Sequence, residues 1–129
     1  MSLVRVEAVT KEYLLGQQKV TALQDITLSI EEGVFLAIAG PSGSGKTTLL
    51  NIIGCIDTPT QGKLFIDDKE VTGLSSDALA DLRARSIGFI FQTFNLFPVL
   101  SAAENVEYPL LQLPEVSREA RREREKRYI

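Results

Sequence analysis

Histidine and tryptophan are absent from this 129-residue sequence, and cysteine occurs once. Without histidine the commonest general base and the commonest zinc ligand are gone, so any chemistry here uses other groups. The single cysteine, Cys55, excludes an internal disulfide framework. No apolar stretch approaches the roughly 18 residues that a membrane-spanning helix needs. The N-terminal MSLVRVEAVTKEY threads charges through its apolar positions, so the sequence reads as soluble and cytosolic. Positive charge is not in surplus either. A net charge of -3 and a pI near 5.0 give no general pull toward nucleic acid or anionic lipid. A polyanion must therefore be held at a local site, and no nucleic-acid partner is expected.

What is present suits one compact core, with 44% apolar residues in a length too short for two large domains. Residues 3–9 (LVRVEAV) alternate apolar and polar, residues 20–30 (VTALQDITLSI) are rich in strand formers, and LLGQQK supplies a turn between them. Gly33 breaks the chain before residues 34–39 (VFLAIA), whose unbroken apolar character predicts a strand buried on both faces of a parallel sheet. From Lys46 the pattern turns helical, with Leu49, Leu50, Ile52 and Ile53 on one side, until Gly54 and DTPTQG stop it.

Residues 63–66 and 70–72 flank a polar DDK and read as a hairpin; residues 77–85 have helical spacing; residues 87–91 (IGFIF) are a second buried-strand candidate. Ser101 and Glu104 fit a capping box, which starts a helix at Ala102. Pro109 should bend or shorten that helix, Pro114 closes it, and a charged helix begins near Ser117. Strand, loop, helix and strand again make an α/β layout.

The strongest chemical signal is GPSGSGKTT, residues 40–48, which fits G-x-x-x-x-G-K-[ST] between a candidate strand and a candidate helix. Gly40, Gly43 and Gly45 allow backbone angles and close approach that side chains forbid, so the amides of Pro41-flanked Ser42, Ser44 and their neighbours can turn toward phosphate oxygens. The following helix adds the partial positive charge of its N-terminus. Lys46 should neutralise the outer phosphates, Thr47 should ligate Mg²⁺, and Thr48 completes the loop. No Asp-x-x-Gly and no Asn-Lys-x-Asp occurs, which disfavours a GTPase. Leu64-Phe65-Ile66-Asp67-Asp68 has the outline of a strand ending in a metal-binding acid, but Asp-Asp-Lys before another strand is hairpin-turn chemistry, and that reading is preferred.

With these motifs in order, the sequence resembles the N-terminal half of an ABC transporter nucleotide-binding domain, of the lipoprotein-releasing and macrolide-export type. VTKEY, VTALQDITLSIEEG, AIAGPSGSGKTTLLNIIGCIDTPTQGKLFID and RARSIGFIFQTFNLFPVLSAAENVEYPL carry the resemblance. It implies an α/β P-loop NTPase core with an N-terminal antiparallel β subdomain (about 1–33 and 62–73), the P-loop core itself (about 34–61 and 74–93) and the start of a helical subdomain (about 94–129). ATP and Mg²⁺ are the implied cofactors.

Two further residues take roles from the resemblance. Tyr13 would stack on the adenine ring, against the alternative of a half-buried strand tyrosine; it sits beside the turn rather than inside the alternating strand. Gln92 would be the Q-loop glutamine, its amide oxygen meeting Mg²⁺ or the attacking water, which makes it catalytic together with Lys46. Phe94, Leu96, Phe97 and Leu100 have two accounts: a groove near residues 92–100 for the transmembrane permease subunits, or packing beneath the helix at Ala102. A second nucleotide-binding subunit is the other implied partner, and the implied location is the cytoplasmic face of a bacterial inner membrane.

Departures from the family bound its activity. The sequence holds no Leu-Ser-Gly-Gly, no apolar run ending in Asp-Glu and no switch histidine. The chain is expected to end within the helical subdomain, to bind ATP weakly and to hydrolyse it negligibly. IGFIF, left without its usual sheet neighbours, should invite aggregation. A non-catalytic module that pairs with an intact subunit and a small P-loop kinase are the competing functions, though no phosphate-acceptor site or lid is evident for the latter. The charged tail interleaves Arg118, Arg121, Arg122, Arg124, Lys126 and Arg127 with Glu119, Glu123 and Glu125, and reads as a solvated helix face with a Glu123–Arg127 pair.

Overall fold

The computed structural model describes residues 1–128. Strands β1 (Ser2–Leu15) and β2 (Gln18–Glu31) form a long antiparallel hairpin, joined by two residues with Gly16 at φ 64. Strand β3 (Gln61–Ile66) pairs with the other edge of β1, and β4 (Lys69–Glu70) pairs with β3, giving the order β2-β1-β3-β4. Asp67 and Asp68 both have positive φ, as a two-residue hairpin turn of the primed type requires. The preference for hairpin chemistry at LFIDDK is therefore what the backbone adopts.

Plain alternation along β1 would put Val6 and Val9 on opposite faces. Both are fully buried, because Ala8 (φ 47) is an extra residue against both neighbouring strands and resets the parity. Gly62 accommodates this bulge: a Cβ there would lie 2.3 Å from the Ala8 carbonyl oxygen.

Helix α1 (Lys46–Ile53) buries Leu49 and Ile52, which join Val6, Val9, Leu23, Cys55, Leu64, Ile66, Val71 and Leu79 in the core. Gly54 caps the helix, as the sequence predicts, its N–H bonding to the Leu50 carbonyl at 2.8 Å. Fully burying an aliphatic side chain is worth about 1.5–3 kcal/mol, so this cluster is what gives the first contact unit, Met1–Leu79, its stability.

The second unit, Ala80–Ile129, begins inside helix α2 (Ser76–Ser86). It has helix α3 (Ala102–Glu107), a 3-10 turn at Tyr108–Gln112 and helix α4 (Arg118–Tyr128). Ser101 Oγ accepts from the Glu104 N–H while Glu104 returns a bond to the Ser101 N–H, completing the expected capping box. Pro109 shortens α3 by converting its continuation to a 3-10 turn. The tail makes an ion pair between Arg121 and Glu107 at 3.1 Å, joining α4 to α3, rather than the Glu123–Arg127 pair expected. Both partners are half-buried, so that pair is less screened by water than one along the outer face of α4.

Two expectations fail. Residues 34–39 and 87–91 are not strands among the described residues. Val34, Phe35, Leu36, Phe89, Ile90 and Phe91 are exposed, Phe35 and Ile90 almost completely. A strand exists only through a hydrogen-bonded neighbour, and no described strand pairs with either segment. Apolar composition supplied the burial signal without the partner that burial needs.

Candidate functional site

The phosphate loop lies between the unpaired segment 34–39 and α1, and its conformation follows from its glycines. Gly45 sits at φ 90, a left-handed angle, with its position facing the backbone of β2: an added Cβ would lie 2.5 Å from the Ala22 carbonyl oxygen and 2.9 Å from Leu23 Cδ2. Ala22 is itself an extra residue in β2, since Lys11 pairs with Leu23 and Glu12 with Thr21. Gly40 is likewise tight, a Cβ meeting Ser44 Oγ at 2.9 Å. Only a main chain without side chains fits the loop so closely against the strand.

Helix α1 has Gly45 at its N-cap, no side chain capping its first turn and no acidic residue there. Its first N–H groups are thus left for another acceptor, at the positive end of the helix dipole. Lys46 Nζ donates to the Gly40 carbonyl at 2.6 Å, to the Pro41 carbonyl at 2.7 Å and to Ser44 Oγ at 3.2 Å. The ammonium is held over its own loop by three oxygens, contacts that phosphate oxygens can replace at greater strength.

Gly43, Ser44, Gly45, Lys46, Thr47 and Thr48 line an open cleft of about 280 Å³, with Val20, Thr21 and Ala22 forming the opposite wall. Gly40, Pro41 and Ser42 belong to the loop but not to this lining. The donor set suits a polyphosphate: backbone amides, one ammonium and hydroxyls, in an open cleft. Thr47 is exposed in the cleft. Among the described residues no three His, Cys, Asp or Glu side chains cluster to hold a metal. Mg²⁺ bound through phosphates, water and one hydroxyl needs no such cluster.

Tyr13 lies within β1 opposite Val20, not beside the turn and outside the strand as the sequence reading has it. Strand pairing continues to Leu15 because the turn is only two residues long. Tyr13 keeps 36% exposure, and its cross-strand partner Val20 lines the cleft. Its hydroxyl donates to Asp57 Oδ2 at 2.7 Å, and Lys11 Nζ sits 5.0 Å from the ring centroid. Lys11 donates to Asp57 Oδ1 at 2.8 Å and to the Thr58 carbonyl at 2.7 Å. Sequence reasoning missed Lys11, Asp57 and the β2 wall. Lys11 stands two residues from Tyr13, the spacing of one strand face, which was a usable signal. Asp57 carries none, being 44 residues away.

Burial alone would raise the Asp57 carboxyl. Hydrogen bonds from Lys11, Tyr13 and the Thr58 N–H outweigh it and hold the group below the usual aspartate range. The bond to Asp57 is also the main reason the Tyr13 phenol is pushed above its ordinary value, with burial second.

Within the second unit Gln92 is exposed, with Phe94 beside it almost fully exposed. The two accounts of the apolar cluster divide along the segment. Phe97 tilts onto Tyr108 at 4.7 Å, its N–H donates to Asn105 Oδ1, and the Asn105 amide bonds the carbonyls of Phe97, Leu100 and Ser101. Phe97 and Leu100 are tied to α3 through their main chain, and Phe97 also rests one ring face on Tyr108 while staying half-exposed, whereas Phe94 and Leu96 are largely exposed.

Comparison with known proteins agrees with this geometry. The family model for ABC transporters matches residues 23–128. An uncharacterised ABC transporter ATP-binding protein, MJ0796 of Methanocaldococcus jannaschii, is 50% identical over 84% of this chain and 46% of its own length. The macrolide export ATP-binding/permease protein MacB of Brucella abortus is 50% identical over 84% of this chain and 17% of its own. Among solved structures, the dimeric post-hydrolysis state of the MJ0796 cassette bound to ADP and Pi superposes with a TM-score of 0.88 at 48% identity, covering 96% of this chain and 54% of that one. The chain thus spans about half, or less, of the length of these relatives.

Proposed function

This chain belongs to the ABC transporter family, and we propose that it forms the phosphate-binding part of an ATP-binding subunit of a bacterial transporter. That subunit couples ATP binding and hydrolysis to transport or lipoprotein extraction at the inner membrane, from its cytoplasmic face. The single observation that carries the reading is the glycine-fitted loop: an uncapped helix N-terminus and Lys46 turned to one cleft.

In this reading the main-chain N–H groups of Gly43 to Thr48 donate to the phosphates of ATP, and Lys46 exchanges its loop oxygens for the outer phosphate oxygens. Thr47 offers its hydroxyl to Mg²⁺, which when bound neutralises charge developing on the transferred phosphoryl group. Gln92 presents its amide oxygen to the same metal or to water. Tyr13 stacks on adenine, a contact worth about 1–3 kcal/mol per base. The outward Phe94 and Leu96 meet the permease subunits, a use that accounts for exposed apolar side chains beside a polar segment. A second nucleotide-binding subunit completes the site, in keeping with the dimeric form of the solved relative.

The chain itself binds ATP without efficient hydrolysis, since its 129 residues hold no Leu-Ser-Gly-Gly, no apolar run ending in Asp-Glu and no histidine. Coupled ADP-release measured on the purified 129-residue chain tests this. Turnover no faster than that of Lys46→Ala is expected. Steady turnover that Lys46→Ala abolishes would overturn the inactivity.

A further inference from the structure

The cluster behind Tyr13 has no part in the phosphate loop, yet four groups converge on it. Asp57 is bifurcated: one carboxylate oxygen accepts from Lys11, the other from the Tyr13 hydroxyl, and Oδ1 also accepts from the Thr58 N–H. Lys11 is the more deeply buried partner, its side chain 12% exposed against 30% for Asp57, and it stands over the Tyr13 ring. The backbone of Tyr13 is fixed by pairing with Val20, whose side chain lines the cleft.

We infer that Lys11 and Asp57 are positioning residues for the nucleobase: they hold the Tyr13 ring by its hydroxyl and cover one of its faces, so that adenine takes the other. A free tyrosine at the edge of a hairpin would turn about both side-chain torsions, and each state not facing the base lowers the apparent affinity by its share of the population. The hydroxyl bond to Asp57 removes that freedom at one end of the ring, while strand pairing removes it at the other. The ammonium on the covered face directs the ligand to the open one and draws on the ring's negative face. The bulge at Ala8 sets the parity of the rest of β1, which brings Lys11 and Tyr13 to the same side as buried Val9. The inference rests on the reading of Tyr13 as the base-stacking residue, and the experiment separates the two.

Mg-ATP and Mg-tripolyphosphate are titrated calorimetrically into the full chain, into Tyr13→Ala, Tyr13→Phe and Asp57→Asn. Tripolyphosphate reports the phosphate loop alone, so the ratio of the two affinities reports the base. Tyr13→Ala should lower ATP affinity by about 5- to 150-fold, the full worth of stacking. Tyr13→Phe keeps the face and loses the anchor, and Asp57→Asn leaves one neutral acceptor oxygen where two carboxylate oxygens served one cation and two neutral donors. Each should lose about 2- to 10-fold in ATP affinity with tripolyphosphate unchanged, the size of one hydrogen bond's net contribution.

If Tyr13→Ala lowers the ratio and neither Asp57→Asn nor Tyr13→Phe does, the positioning role is wrong and base stacking stands. An unchanged ratio in Tyr13→Ala removes base stacking, and the positioning role with it. Equal loss of both ligands in Asp57→Asn marks a merely structural residue and overturns the inference. Should Asp57→Asn fail to fold, Tyr13→Phe carries the test, because it deletes one oxygen only. Ultraviolet titration adds a direct readout: the Tyr13 phenol, assigned by its loss in Tyr13→Phe, should ionise at lower pH in Asp57→Asn, and an unmoved titration contradicts the contact.

Discussion

Replacing Gly45 with alanine adds a single methyl group at the point where the phosphate loop meets β2. Its backbone angle, φ 90, costs an L-residue about 1–2 kcal/mol in the left-handed region, against which reduced unfolded-state freedom returns less than about 1 kcal/mol. The methyl then lies 2.5 Å from the Ala22 carbonyl oxygen and 2.9 Å from Leu23 Cδ2. Neither the carbonyl nor the loop can yield cheaply, since one belongs to a paired strand and the other starts a helix. Overpacking of this kind adds about 1–3 kcal/mol, for a total near 2–4 kcal/mol. Gly43 is the internal control, with φ 78 but no atom within 4 Å of its built Cβ. Gly43→Ala should therefore cost only the angular part, about 1 kcal/mol. Urea unfolding of both variants measures the difference, and ATP titration should show a larger loss of binding for Gly45→Ala. Equal unfolding midpoints would refute the argument, because they would mean that the loop does not press on β2.

Other outcomes follow from single residues. Ile52, fully buried on α1, should cost about 2–5 kcal/mol when cut to alanine, read from the urea midpoint. Asp57 is held below the ordinary aspartate range, so its contribution to stability is complete above about pH 4, the unfolded value, and is lost as pH falls through the lower folded value. Acid unfolding of Asp57→Asn should accordingly depend less on pH in that window, and an unchanged profile would contradict the pairing with Lys11 and Tyr13. Ser101→Ala removes half of the capping box and should cost about 0.5–2 kcal/mol, seen as faster hydrogen exchange at amides 102–107.

Local signals carried much of this architecture. The helix from Lys46 to Ile53, the capping box at Ser101 and the proline that ends α3 are each written within a few residues, and each stands where its pattern put it. The hairpin at Asp67 and Asp68 was equally legible, because turn residues state their own backbone angles. VFLAIA and IGFIF were not. Their composition announces burial, but a strand is a relation between two segments, and periodicity in one says nothing about whether the other is there. Tyr13 shows the same limit on a smaller scale. Its residue type suggested a stacking face, while the groups that orient it, Lys11 and Asp57, come together only through the fold.

The account stands or falls on whether the loop at residues 40–48 takes the phosphates of ATP. Equilibrium dialysis of labelled ATP with Mg²⁺ against the intact chain and against Lys46→Ala measures this directly. One nucleotide bound per chain, with affinity at least about tenfold weaker in Lys46→Ala, is the predicted result, since a charge-assisted hydrogen bond is worth about 1.5–3 kcal/mol. Equal binding by both proteins, or none by the intact chain, would contradict it.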